Sequence, residues 1–214
     1  MMLYVSRKVI DPLAPYFIRP IYVDPFEIKH SIEPSDFVRR GRYRLSGTVV
    51  SEDWDPVIEM PPKHRLLSMA FSARFLHQID STNEAIRAFA IREEDAHEFQ
   101  RMFDEVQKER YSVLFEGIRK SGFRIASFGS TGVEPFHICI EENGDLLFTT
   151  GKHRLAIAKA IGFDTIPVRV AGRHTGWIRY RQAFHRRLAA DCLSDLDRDR
   201  LAHPDLQDLI YRAA

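Results

Sequence analysis

Cysteine is scarce: Cys139 and Cys192 are the only two in 214 residues, and they stand far apart outside any CxxC pattern. That count and spacing exclude a disulfide framework and a thiolate zinc site. Nine histidines supply no HExxH pair, which removes the common helical zinc motif. No apolar run approaches the ~20 residues of a membrane helix. The opening Met1-Met2-Leu3-Tyr4-Val5-Ser6-Arg7-Lys8 lacks the basic-then-apolar order of a signal peptide. A soluble, cytoplasmic protein without membrane partners is the expectation. An excess of one charge sign is missing too, with 31 Lys and Arg against 30 Asp and Glu and a net charge of +1. That balance excludes a uniformly basic polyanion binder. It hides local patches. Residues 51–59 carry four acids and no base, and 93–109 carry seven acids against Arg101 and Lys108. Against these stand Lys152–Arg154 and five arginines within 173–187.

An apolar fraction of 44% in 214 residues suits one domain spanning 1–214, with decorations. Prolines crowd residues 11–62 and forbid long helices there. Ile18 to Pro25 reads as a short strand, Phe26 to Ile32 as one helical turn, and Thr48 to Asp53 as a second extended segment. A helical insertion is expected over about 63–121. It opens with an amphipathic helix carrying Leu66, Leu67, Ala70, Phe71 and Phe75. Ser81-Thr82-Asn83-Glu84 matches a capping box. One long helix from about Glu93 to Ser121 follows, with an acidic start and Gly122 as its stop. Its stripe of Phe99, Met102, Phe103, Val106, Val113, Leu114 and Ile118 reads as a core face.

The period then changes. Phe136–Ile140 and Leu146–Phe148 flank an Asn143-Gly144 turn, a hairpin signal because both residues tolerate positive φ. Leu155 to Ile161 forms a short helix closed by Gly162, and Thr165–Val170 another strand. A C-terminal helical extension occupies about 173–214. His203-Pro204-Asp205 reads as a helix start with Asp205 near the N-cap.

The turn between hairpin and helix carries the chemistry. Gly151 permits a close turn, the helix start presents backbone N–H groups, and Lys152, His153 and Arg154 add cations beside them. Free amides, a favourable dipole and cationic side chains make a phosphate or carboxylate site. The alternative is solvated Lys152 and Arg154 with His153 capping or packing. A Walker A loop is not present, since its earlier glycine and its Ser or Thr are missing.

Gly151-Lys152-His153-Arg154-Leu155, with Ala158, Gly162 and Ile166-Pro167-Val168, resembles the ParB/sulfiredoxin superfamily signature. That signature is G-x-[HR]-R, a small-residue helix, a closing glycine and an IPV-like strand. Ile21-Tyr22-Val23-Asp24-Pro25-Phe26-Glu27-Ile28 is similar to the superfamily's first motif, a strand followed by V-D-P-x-x-I. The resemblance covers about residues 18–32 and 136–170. It implies an α/β fold: a small mixed sheet with a helical insertion. Partition ParB proteins use a G-E-R-R loop for CTP, but Lys152 and His153 replace the Glu and first Arg. The stretch after Val170 is also short for a helix-turn-helix domain and a dimerisation module. Sulfiredoxins use G-C-H-R, and Lys152 replaces that cysteine. Free-serine kinases place an Asp where this chain has Thr150.

The resemblance therefore implies a nucleotide-binding enzyme, a small-molecule phosphotransferase (kinase) or NTPase. Gly151, Lys152, His153 and Arg154 would hold the phosphates of a nucleoside triphosphate or diphosphate. The catalytic carboxylate would come from Asp55, Asp53 or Glu27, with His153 as a further catalytic group. Asp53 and Asp55 are candidate Mg²⁺ ligands. Trp54, Thr150, Arg173 and His174 are candidate substrate or nucleotide contacts. For the segment Ser51–Pro56 the alternative is a solvated acidic turn with a buried Trp54. Arg173 to Arg187, with interleaved Trp177, Tyr180 and Phe184, fits single-stranded nucleic acid or an amphipathic helix that packs its aromatics. A non-catalytic or nuclease-like nucleic-acid module is the alternative function.

Overall fold

A computed structural model describes residues 20–31, 58–59, 62–123 and 136–213. The chain is mixed α/β. Six strands form one sheet: β1 (Ile21–Val23), β2 (His30–Ser31), β3 (Ile58–Glu59), β4 (Phe136–Ile140), β5 (Leu146–Thr150) and β6 (Ile166–Arg173). Their spatial order is β1-β6-β4-β5-β2-β3. The central pairs are β4 with β5, antiparallel, and β4 with β6, parallel. Burial runs through consecutive residues Leu146, Leu147, Phe148 and Thr149. Neighbouring strand residues point to opposite faces, so both faces of the sheet are covered.

Two expectations near the first motif change. The strand is Ile21–Val23 within the described residues, and no helical turn forms over 26–31. A tight turn over Pro25–Glu27 replaces it, held where the Asp24 carboxylate accepts from the Phe26 N–H at 2.7 Å. His30 and Ser31 then extend to pair with both β5 and β3, because an edge of the sheet offers backbone partners. The expected extended segment at 48–53 lies outside the described residues.

The hairpin forms where expected, with positive φ at Gly144 alone (+97°) among its turn residues. Asn143 instead uses its side-chain oxygen to accept from the Asp145 N–H at 2.9 Å. A Cβ on Gly144 would lie 2.8 Å from the Trp177 ring, so this glycine also makes room for the helix above.

The helical part comprises α1 (Pro62–Phe71), a π-helical turn (Ser72–Leu76), α2 (Thr82–Phe89), a 3₁₀ turn (Glu93–Asp95), α3 (Ala96–Val106) and α4 (Glu109–Ser121). Ser81 caps α2, accepting from the Glu84 N–H at 3.2 Å. The single helix expected over 93–121 is broken at Lys108, whose ψ of 137° is extended. Val106 and Tyr111 are both buried. On one continuous helix five residues rotate a side chain by roughly 140° net, so the break brings both onto one core.

After β5 come α5 (Lys152–Ile161), β6, α6 (Thr175–Ala189), α7 (Asp195–Asp199), a 3₁₀ turn (Pro204–Leu206) and α8 (Gln207–Ala213). The expected helix start at 203–205 is there: His203 is the N-cap of the last 3₁₀ turn and Asp205 lies in its first turn, near the cap. Two apolar clusters result. One joins the sheet to α6 and α8 through Trp177, Phe184, Leu206 and Leu209. The other unites α1, α3 and α4 around Phe71, Phe99 and Phe115. Helix α5 belongs to both, giving Leu155 and Ala158 to the first and Ala156 and Ile157 to the second. It is the joint of the fold.

Candidate functional site

Strand β5 ends at Thr150 and α5 starts at Lys152, leaving Gly151 to make the whole turn. Gly151 has φ +103°, and a Cβ there would sit 3.2 Å from the Phe136 ring. Both facts call for glycine. Glycine has no side chain to cap the first turn, and that turn contains no acid. Lys152 is exposed, while His153 and Arg154 are half-buried. Cations at the positive end of a helix repel its dipole, so an anion is favoured at this end.

Tertiary packing adds what the loop lacks. Glu105 of α3 lies 2.9 Å from His153 Nε2. Tyr111 stacks on the imidazole at 4.4 Å between ring centroids and donates its hydroxyl to Glu105 at 3.2 Å. Arg110 donates to the same hydroxyl. Burial holds the His153 pKa below its ordinary value, with Lys152 and Arg110 adding to the effect and Glu105 opposing it. Burial works against ionised Glu105, but His153, Lys152 and Tyr111 outweigh it and hold the carboxyl below its ordinary value. Near pH 7 the pair is thus a neutral imidazole beside an ionised carboxylate. An ionised carboxylate only accepts, so Nε2 carries the proton and Nδ1 keeps the lone pair.

His64 of α1 feels the charges of this turn through space. Burial is the main cause that brings its pKa down to about 4, and the charges of Lys63, Lys159, Lys152 and His153 add to it. Its Nδ1 is buried without a hydrogen-bond partner.

Gly151, Lys152, His153 and Arg154 come together because they are contiguous. Arg154 lies over the Phe136 ring at 5.6 Å. Thr150 closes β5, with its hydroxyl 3.2 Å from His137 Nδ1. Glu27 lines a separate cavity of about 270 Å³ with His30, Asp145 and His203, whose wall includes no residue of the α5 first turn. Asp53, Trp54 and Asp55 lie outside the described residues. Among the described residues, no group of three or more His, Cys, Asp or Glu is placed to hold a metal ion.

The arginine-rich segment is largely committed to acids. Arg173 sits at 1% exposure and donates twice to Asp205, at 2.8 and 2.6 Å. Arg181 lies 3.2 Å from Asp205 and 3.1 Å from Asp208. Trp177 Nε1 also donates to Asp205 at 2.9 Å. Arg187 donates twice to buried Asp197 at 2.6 Å. His174 is the N-cap of α6, accepting from the Gly176 N–H at 3.1 Å. These contacts are those of a packed amphipathic helix.

Glu105, Arg110, Tyr111 and His64 are absent from the sequence-derived site. Glu105 stands 48 residues from His153 and is one of seven acids in its segment. Only the break at Lys108 folds Tyr111 back beside it. The chain matches no family model, no curated protein and no solved structure in the comparisons made. No helix among the described residues is long and apolar enough to cross a membrane.

Proposed function

We propose that the protein binds a nucleoside triphosphate or diphosphate at the N-terminus of α5 and acts as a small-molecule phosphotransferase or NTPase of the ParB/sulfiredoxin-like type. The observation that supports this most strongly is the His153–Glu105 pair at the start of a cationic helix. Phosphate oxygens accept from the first-turn N–H groups and from Lys152. Charge stabilisation and positioning are most of what phosphoryl transfer requires. His153 Nδ1, neutral near pH 7, takes the proton from an acceptor hydroxyl or a water. Glu105 holds the ring by Nε2 and stabilises the imidazolium that results. Tyr111 fixes the ring plane from above. Magnesium, with Asp53 and Asp55 as its ligands, would neutralise phosphate charge. Against the nucleic-acid alternative stands the pairing of Arg173, Arg181 and Arg187 with buried acids.

A thermal-shift screen of ATP, GTP, CTP and their diphosphates, with and without Mg²⁺, tests the binding half. Ligand at a hundred times its Kd adds about 2.7 kcal/mol. For a chain of this size that raises Tm by roughly 5–10 °C. Lys152→Ala should reduce the shift, and Glu105→Gln should leave binding near wild type while lowering turnover about a hundredfold. A wild type that no nucleotide stabilises sinks the proposal.

A further inference from the structure

A cavity of about 380 Å³ opens between α1, the last turn of α5 and the turn after β1. Phe26, Met69 and Ala160 give it apolar walls, and Lys159, His64 and Arg65 give it nitrogen groups. Among the described residues, no Asp or Glu lines it. Volume and lining both match small-molecule sites, which are mostly apolar with a few convergent polar groups.

The polar groups have unused capacity. Lys159 Nζ spends one of its three protons on the Ile28 carbonyl, at 3.2 Å, and lies 5.9 Å from the centre of the Phe26 ring. Its ammonium is half-buried. Burial lowers its pKa, with the Asp24 charge opposing. His64 Nδ1 is buried with no partner, and buried polar atoms are rarely left so. The His64 ring is fixed edge-on against Phe148 at 5.2 Å, so this nitrogen cannot swing away cheaply. Ser68 gives its proton to the Ala156 carbonyl at 2.8 Å, which ties the cavity wall to α5. The π-helical turn begins at Ser72, on the rim. Such turns interrupt a helix at a cost and are frequent at functional sites.

We infer that this cavity binds a small organic carboxylate with an apolar body, its carboxylate bonded to Lys159 and its body against Phe26, Met69 and Ala160. One negative charge answers the half-buried ammonium. The apolar walls exclude water from the remaining volume. A bare phosphate would leave those walls uncovered. The inference stands whether or not the α5 loop takes a nucleotide, since Lys159 and Ala160 lie two turns beyond it.

Titration calorimetry on the full chain with 3-phenylpropanoate, 3-phenylpropanamide and acetate tests this. The wild type should bind the acid at least tenfold more tightly than the amide, which lacks the charge, and than acetate, which lacks the body. Lys159→Met keeps the stem and should cost about tenfold in affinity for the acid while leaving the amide unchanged. Ala160→Phe fills the cavity and should abolish binding of both. Equal affinity for acid and amide, or no detectable binding of the acid, overturns the inference. The acid-to-amide comparison on the wild type decides it even if a variant does not fold.

Discussion

Replacing Asp205 by alanine tests whether the arginine-rich C-terminal segment is built for packing. Asp205 is fully buried; it accepts from Arg173 and Trp177 and forms an ion pair with the Arg181 guanidinium at 3.2 Å. The two guanidiniums hold its carboxyl well below the usual range against the cost of burial. Arg173 and Arg181 are exposed by 1% and 0%, so neither reaches water when the carboxylate is removed. Breaking a buried pair from one side costs about 3–5 kcal/mol, because the partner's charge is left uncompensated. Here Asp208 still faces Arg181 at 3.1 Å and also acts on Arg173 through space, which places the loss near the middle of that range rather than at its top. A whole domain is stable by only about 5–15 kcal/mol. Asp205→Ala should therefore lower the urea-derived stability by about 4 kcal/mol and Tm by roughly 10 °C. Asp205→Asn, which keeps the shape and one acceptor, should lose less. A change below about 1 kcal/mol for the alanine variant would refute the packing account and return these arginines to the list of ligand-binding groups.

Three further outcomes follow from other parts of the structure. His64 is held at about 4 against an ordinary 6.5, so the unfolded chain takes its proton first; stability should fall as pH drops from 6.5 towards 4 and level off below. Urea midpoints at pH 7, 5.5 and 4.5 measure this, and His64→Leu should flatten that slope. Phe115 stacks on Phe75 at 4.6 Å and on Phe71 at 6.1 Å in the helical core, so Phe115→Ala should cost about 3–5 kcal/mol in denaturant unfolding. Gly151→Ala must adopt φ +103° and press on the Phe136 ring, which should cost about 1–3 kcal/mol and weaken phosphate binding together.

The elements that local patterning specifies were legible in the sequence. Helix α5 with its Gly162 stop, the hairpin flanking Gly144, and the Ser81 cap all follow from residues within one or two turns of each other. The failures share a cause. His30 and Ser31 became a strand because the sheet supplied partners from β5, 117 residues away by the His30–Leu147 pairing. The helix over 93–121 broke at Lys108 because tertiary packing placed Val106 and Tyr111 on one side. The same physics limited the site. Gly151 to Arg154 are contiguous and could be read as a cationic helix start, but nothing local distinguishes Glu105 from the six other acids around it. Its role comes from being half-buried against His153. Asp205 illustrates the converse: its position at a helix start was readable, whereas its burial between two arginines was not.

The central claim is that the first turn of α5 receives phosphate oxygens, and a backbone amide NMR titration with ATP and Mg²⁺ addresses it most directly. Saturable shifts are expected to concentrate at Gly151, Lys152, His153 and Arg154, with the His153 ring responding alongside, and to be lost in Lys152→Ala/Arg154→Ala. Shifts confined to the α6–α8 arginines, or no saturable shift at the α5 first turn, would contradict it.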